Sequence, residues 1–96
     1  MMLKNTYAKT IQMVNGTEKE FVEKCWYALN MHVVYPAEKI STDAFLDWAR
    51  DLCWIKQNHI VISIEGKIQQ ETKETIDFLN TYWKKKEKQV EFIFVD

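Results

Sequence analysis

The sequence predicts an α/β fold in which a small, mostly parallel three-stranded sheet carries about three helices. Strand-like and helix-like segments alternate in the order β-α-loop-α-β-α-β, and this alternation favours a parallel sheet with helices packed on it. Of the 96 residues, 47% are hydrophobic and 28% are charged, a composition typical of a globular chain. Since the chain has one proline, two glycines and no repeat or low-complexity stretch, we expect residues 1–96 to form a single domain.

The first predicted strand and helix occupy the first third of the chain. Residues 9–14 alternate weakly between polar and apolar and end at an Asn-Gly turn dipeptide. Thr17 and Glu20 have the spacing of a capping box, in which each side chain bonds the other residue's backbone amide. A helix of about 17–31 should follow, because apolar residues recur at helical spacing. These residues are Phe21, Val22, Cys25, Trp26 and Leu29.

The middle of the chain holds a loop and a second helix. Residues 33–35 could form a short strand or part of an irregular loop, and we favour a loop because Pro36 cannot donate a ladder hydrogen bond. Residues 41–43, Ser-Thr-Asp, are all good helix N-caps. They predict a helix of about 42–55, whose apolar stripe is formed by Phe45, Trp48, Ala49 and Leu52.

Two strands and a helix complete the chain. Residues 59–64 are rich in β-branched residues and end at a Glu-Gly pair, so they predict a strand. A helix of about 70–86 follows, with an apolar stripe formed by Ile76, Leu79, Tyr82 and Trp83. Residues 90–95 are apolar at nearly every position, as expected for a strand covered on both faces. Because three strands make a small sheet, we also expect the helices on one face.

The second predicted helix carries three aspartates on one side. At about 100° per residue, Asp43, Asp47 and Asp51 lie about 160° to 240° from Phe45, opposite the apolar stripe. Trp54 lies at about 180°, at the end of the same face. Exposed helix faces often carry Asp, which is the simplest interpretation. The functional interpretation is a negative, partly aromatic surface for a cationic partner, because clustered charge of one sign steers association.

Other residues that could carry chemistry are scattered. Cys25 and Cys53 lie in helical patterns without metal-knuckle or redox spacing, so we interpret them as reduced core thiols. His32 and His59 have no nucleophile or carboxylate grouped with them at a recognisable spacing. No phosphate-binding glycine loop or zinc-protease motif occurs. The sequence therefore predicts no catalytic residue, no cofactor, no metal and no enzyme activity.

The net charge argues against a nucleic-acid partner, and the lack of a long apolar run argues against a membrane partner. The net charge is −1, whereas nucleic-acid modules are usually basic. Residues 84–86 and Lys88 place cations at the end of the third predicted helix, where they complement the helix dipole. The alternative is a nucleic-acid contact together with Tyr82 and Trp83. The chain begins without an apolar leader and has no run of about 18 apolar residues, so we expect a cytoplasmic protein.

The element order and the segment around the acidic helix resemble the barstar family of ribonuclease inhibitors. Residues 14–16, Val-Asn-Gly, close the first strand as a similar Asn-Gly does in that family. Residues 43–48, Asp-Ala-Phe-Leu-Asp-Trp, are similar to the family's Asp-Ala-Leu-Trp-Asp helix, and residues 35–36, Tyr-Pro, lie in the loop before it. The resemblance covers about residues 9–96. The family's Tyr-Tyr-Gly-x-Asn loop is replaced here by residues 37–42.

This resemblance implies a protein inhibitor that inserts an acidic helix into a cationic ribonuclease active site and mimics phosphate. By position, Asp43 and Asp47 would make the contact, with Tyr35 and Trp54 as neighbours. The family's acidic residue on the last helix falls at or next to Tyr82, which is not acidic. A different hypothesis is a small interaction protein, such as a phage-type inhibitor of a host factor other than a nuclease. The four tryptophans would also suit a homodimer interface.

Overall fold

The structure is a computed structural model that describes residues 6–34, 40–48, 52, 54–83 and 88–95. Within these ranges it has three strands, three α-helices and one short 3₁₀ helix, so the predicted α/β class is confirmed. In chain order the elements are β1 (Thr6–Met13), α1 (Glu18–Ala28), the 3₁₀ helix (Met31–Val33), α2 (Thr42–Trp48), β2 (His59–Gly66), α3 (Gln70–Trp83) and β3 (Gln89–Val95).

The sheet is parallel, with β2 at its centre and β1 and β3 at its two edges. In the register of the β1–β2 pair, Ile11 lies opposite Ile64. In the β2–β3 pair, Ile62 lies opposite Phe92. Sequential order with parallel pairing requires a crossover between neighbouring strands, and right-handed crossovers then place the helices on the same face.

In the described part of the chain, the helices cover one face of the sheet, as the small sheet predicted. Along β2, the buried residues Ile60, Ile62 and Ile64 alternate with residues that are exposed or half-buried. The expectation that β3 is covered on both faces was wrong. Its exposed side carries Ile93 and Val95, which are 43% and 40% exposed. The apolar run therefore reflects apolar residues on an open face, and not a second layer of helices.

The core lies between the covered face of the sheet and the helices. The aromatic ring of Phe21 on α1 packs edge to face against Phe45 of α2, with centroids 6.2 Å apart. It also packs against Phe92 of β3, with centroids 5.4 Å apart. All five apolar residues that predicted the first helix are buried. One of these five, Trp26, is fully buried and is among the largest side chains of the core.

Helix α1 begins close to its predicted start and ends three residues before its predicted end. Thr17 caps it by accepting a hydrogen bond from the Glu20 amide at 3.1 Å, as the capping box predicted. The Glu20 carboxylate, however, accepts hydrogen bonds from the backbone amides of the three residues that precede the cap. The amides of Val14, Asn15 and Gly16 lie 2.8 to 2.9 Å from its oxygens. Burial alone would raise the pKa of Glu20, but these bonds, with Lys24, lower it below its ordinary value.

Two glycines permit the close packing between the end of β1 and the end of β2. Gly66 has a φ of +99°, and a Cβ there would lie 2.2 Å from the Met13 carbonyl oxygen. Gly16 has a φ of +74°, and its carbonyl accepts hydrogen bonds from the Thr72 hydroxyl and the Gln69 amide. Both positions therefore need the left-handed conformation and the missing side chain of glycine.

Candidate protein-binding site

Helix α2 is short, and one buried ring anchors it. Ser41 caps the helix, because its hydroxyl accepts from the Ala44 amide at 3.1 Å and its carbonyl accepts from the Phe45 amide at 2.9 Å. Phe45 is 1% exposed and packs on Phe21. With this ring directed inward, the opposite side of α2 must face solvent.

Asp43 and Asp47 lie on that outer side, and both are exposed. They are four residues apart, about one helical turn, and we call these two residues the acidic face. Two other predicted members of the site, Asp51 and Tyr35, lie outside the described residues.

The predicted position of Trp54 on the acidic face was wrong. The described helix ends at Trp48, and Leu52 has a φ of +47°, which is incompatible with a right-handed helix running to residue 55. Trp54 instead donates its indole N–H to the Leu29 carbonyl at 2.7 Å and packs, half-buried, on the core. Its observed role is to hold the segment after α2 against the end of α1.

A single carboxylate connects the three helices near the acidic face. Glu18, in the first turn of α1, accepts hydrogen bonds from the hydroxyls of Thr42 on α2 and Thr75 on α3. The oxygen–oxygen distances are 3.3 and 2.5 Å. These bonds place the first turn of α2 beside the second turn of α3.

Next to this connection lies an aromatic pair, Phe78 and Tyr82, of which the sequence analysis named only Tyr82, as part of the alternative nucleic-acid contact. Phe78 is 60% exposed, and its ring stacks on that of Tyr82 with centroids 6.5 Å apart. Thr75, Phe78 and Tyr82 share one side of α3, because they are three and seven residues apart. The aromatic pair therefore lies on the side of α3 that carries the connection to α2. The sequence feature that could have identified Phe78 as exposed is its position outside the apolar stripe of the helix.

A second exposed apolar region follows α1. Val33 and Val34 are 73% and 46% exposed, and Tyr27 is 50% exposed with its ring 5.0 Å from that of His32. Val33 and Val34 belong to the segment predicted as a loop, whose residues 35–39 are outside the described ranges. Exposed apolar and aromatic side chains of this kind are typical of protein-binding surfaces.

The remaining residues that could carry chemistry have structural or surface positions. Burial raises the pKa of the Cys25 thiol well above its ordinary value, so this cysteine is an unreactive core residue. His59 contacts Glu91 at 3.0 Å and Thr6 at 3.4 Å, which links the three strands on the open face. Both His59 and Glu91 are largely exposed, so this chain of contacts does not exclude water as a catalytic site would.

Of the lysines that follow α3, Lys88 lies within the described residues and makes two hydrogen bonds. The ammonium group of Lys88 donates to the carbonyls of Ile55 and Gln57, so it ties the segment before β2 to the start of β3. Residues 84–86 and Cys53 lie outside the described ranges. Over the described part of the chain, no group of three or more His, Cys, Asp or Glu side chains could hold a metal ion. None of the helices in that part combines the length and apolar content needed to cross a bilayer.

Comparisons with known proteins give no family assignment. The chain matches no protein-family model, and no match was found among curated proteins or solved structures.

Proposed function

We propose that this protein is a cytoplasmic inhibitor or immunity protein that blocks a cationic ribonuclease through the acidic face of α2. The observation that carries the proposal is the exposure of Asp43 and Asp47 on a helix whose opposite side is fixed in the core by Phe45. Because the helix is anchored, its carboxylates are held in place before a partner arrives. Such preorganisation reduces the entropy lost on binding.

The chemistry of the acidic face suits a site that normally binds RNA. Ribonucleases place cationic side chains around the phosphates of their substrate, and two carboxylates whose residues are about 6 Å apart along a helix offer negative charge in a similar arrangement. The protein would act by occupying that site, without a catalytic step of its own. A reduced, buried Cys25 is compatible with the cytoplasm.

The aromatic pair supplies the apolar part of the proposed interface. Large rings in contact with a partner dominate many protein interfaces, and charged residues around them set the association rate and the choice of partner. Phe78 and Tyr82 lie on the side of α3 connected to α2 through Glu18. We infer that a partner large enough to cover the acidic face and the region around Glu18 also contacts these rings.

The test uses inhibition of RNA cleavage by a panel of purified basic ribonucleases, with a fluorogenic RNA substrate. We expect the wild-type chain to inhibit at least one of them. Replacing Asp47 by Lys should weaken that inhibition by about 30-fold or more, because disrupting a charge pair in an interface costs about 2 kcal/mol or more. Thermal unfolding should change little, since Asp47 is exposed.

Asp77→Lys is the matched control. It changes the net charge by the same amount, but Asp77 is on α3 and contacts Lys73 at 3.4 Å. We expect Asp77→Lys to inhibit nearly as well as wild type. Equal inhibition by the Asp47 variant and wild type, or equal losses in the two variants, would contradict the role of the acidic face. A chain that inhibits no ribonuclease would contradict the choice of partner.

A second candidate function is inhibition of a host factor other than a nuclease, as small phage proteins do. It is favoured by the exposed Tyr27, Val33 and Val34, which match an apolar partner surface better than a cationic one. The test is to identify proteins captured from a lysate and compare two variants. Capture of a non-nuclease protein that survives Asp47→Lys but is lost in Val33→Asp would support this second function. The reverse pattern would support the first.

A further inference from the structure

The two edge strands of the sheet differ in how their outward backbone groups are paired. Exposed strand edges present unpaired backbone groups that can pair with another chain. On β3, the side-chain amide of Asn80 bonds both backbone groups of Phe92. It donates to the Phe92 carbonyl at 3.1 Å and accepts from the Phe92 amide at 2.8 Å. Asn80 thus occupies the place that a neighbouring strand would take at the middle of β3.

On β1, two hydrogen bonds identify which residues point their backbone outward. The Met13 carbonyl accepts from the Lys67 amide, so the backbone of Met13 faces β2. The Gln12 carbonyl accepts from the Lys24 ammonium group of α1, so the backbone of Gln12 faces away from β2. Because this direction alternates along a strand, Thr6, Ala8 and Thr10 also point their amides and carbonyls outward.

The outer edge of β1 opens onto a groove between this strand and α1. The groove has a volume of about 530 Å³, and its lining includes Lys9, Thr10, Lys24 and Tyr27. Lys24 covers the edge at Gln12, toward the end of the strand. Ala8 and Thr10 are exposed. Among the described residues, the edge that remains available is therefore the first part of β1.

We propose that two copies of this chain associate through β1, as antiparallel neighbours in one continuous sheet, with Ala8 opposite Ala8 of the second copy. In this register Thr6 lies opposite Thr10 of the other chain, and each opposed pair of outward residues exchanges two backbone hydrogen bonds. Threonine pairs across strands are favourable. The proposal rests on the β1 edge and is independent of the acidic face.

Charge and aromatic contacts favour a second copy as the occupant. The proposed register sets Lys9 opposite Tyr7 of the second copy, at a position where side chains approach most closely. Lys9 already lies over the Tyr7 ring of its own chain, with its ammonium nitrogen 5.6 Å from the centroid. Pairing would give this cation a second ring in the groove. The net charge of −1 gives little overall repulsion between copies.

The neighbouring registers are less favourable. If Lys9 lay opposite Lys9 of the second copy, two ammonium groups of like charge would meet across the strands. If Thr10 lay opposite Thr10, Gln12 would have to pair with Ala8 of the second copy. Its carbonyl would then have to exchange the Lys24 ammonium group for an amide. The register centred on Ala8 avoids both costs.

The first test measures molar mass by light scattering after size exclusion, over a range of protein concentrations. We expect a concentration-dependent dimer for wild type and for Ala8→Ser, which keeps the backbone amide. Ala8→Pro removes that amide and should be monomeric at every concentration. Far-UV circular dichroism shows whether the proline variant is folded. A wild-type chain that stays monomeric, or a folded Ala8→Pro variant that still dimerises, overturns the proposal.

A second test reports the register without depending on the proline variant. In the proposed pair, the Cα atoms of the two Ala8 residues would be about 5.5 Å apart, within the range that a disulfide spans. Under mild oxidation Ala8→Cys should form a covalent dimer, and Thr10→Cys should not. The wild-type chain gives the background from its own two cysteines. Cross-linking of Thr10→Cys in preference to Ala8→Cys, or of neither above background, overturns the register.

Discussion

Replacing Glu20 by Gln tests the turn between β1 and α1. The carboxylate accepts hydrogen bonds from three consecutive backbone amides at 2.8 to 2.9 Å, and its side chain is 13% exposed. Glutamine offers one acceptor oxygen and no charge. Bonds to a charged acceptor contribute about 1.5 to 3 kcal/mol when buried. Since Val14 and Asn15 are exposed and water can replace part of the loss, we expect a net cost of about 1.5 kcal/mol at pH 7.

The same substitution should change how stability depends on pH. The folded-state pKa of Glu20 is lowered, so its charge adds stability above the unfolded pKa of about 4.3. This stability is lost as the pH falls through the folded-state pKa. Thermal melting at pH 7 should therefore show the variant about 6 to 12 °C below wild type. At about pH 3 the gap should narrow.

The control for this experiment is Glu23→Gln. Glu23 lies on the same helix and is exposed, and its replacement removes the same charge. We expect it to melt within about 4 °C of wild type, because surface substitutions usually cost less than 0.5 kcal/mol. A gap that is the same at both pH values, or a Glu23 variant that loses as much as the Glu20 variant, would refute this account of the turn.

Two further substitutions test the packing of the sheet. Gly66→Ala should destabilise the fold by about 3 kcal/mol or more, because the new Cβ would meet the Met13 carbonyl at a left-handed φ; urea unfolding measures this, and a loss below about 1 kcal/mol would contradict it. Asn80→Ala should cost about 2 kcal/mol by leaving both backbone groups of Phe92 without their side-chain partner. Native-state hydrogen exchange should show faster exchange at the Phe92 amide, and unchanged protection there would count against the role of Asn80.

The sequence was most informative where local pattern and tertiary burial agree. The apolar stripe of α1 predicted a helix, and its residues are buried because that side faces the sheet. The alternation of strands and helices predicted the parallel sheet, because chain connectivity restricts how such elements can pack.

The end of α2 could not be predicted from the same kind of pattern. Leu52 continues the helical spacing and is indeed buried, at 1% exposure. The backbone of Leu52 itself is in the left-handed conformation, and its carbonyl accepts a hydrogen bond from the Ile55 amide. The indole of Trp54 bonds Leu29, 25 residues earlier in the chain. Contacts between distant segments decide this turn, and periodicity carries no information about them.

The capping box shows a similar limit at shorter range. The spacing of Thr17 and Glu20 correctly predicted the bond from the Glu20 amide to the Thr17 hydroxyl. The direction of the carboxylate depends on the preceding turn, in which the positive φ of Gly16 brings three amides together. The candidate site shows the same limit. Helical geometry predicted the positions of Asp43 and Asp47 on α2, but it did not predict that α2 ends before Trp54.

The parallel pairing of β1 with β2 has a consequence for how the chain folds. Partners in this pair, such as Thr6 and His59, are 53 positions apart. The chain must therefore close a long loop before β1 can pair with β2, and contacts of this kind slow folding. During synthesis β1 leaves the ribosome well before β2. We therefore expect a nascent chain that ends before His59 to remain sensitive to protease, and protection of Ile11 and Met13 to appear only after β2 has emerged.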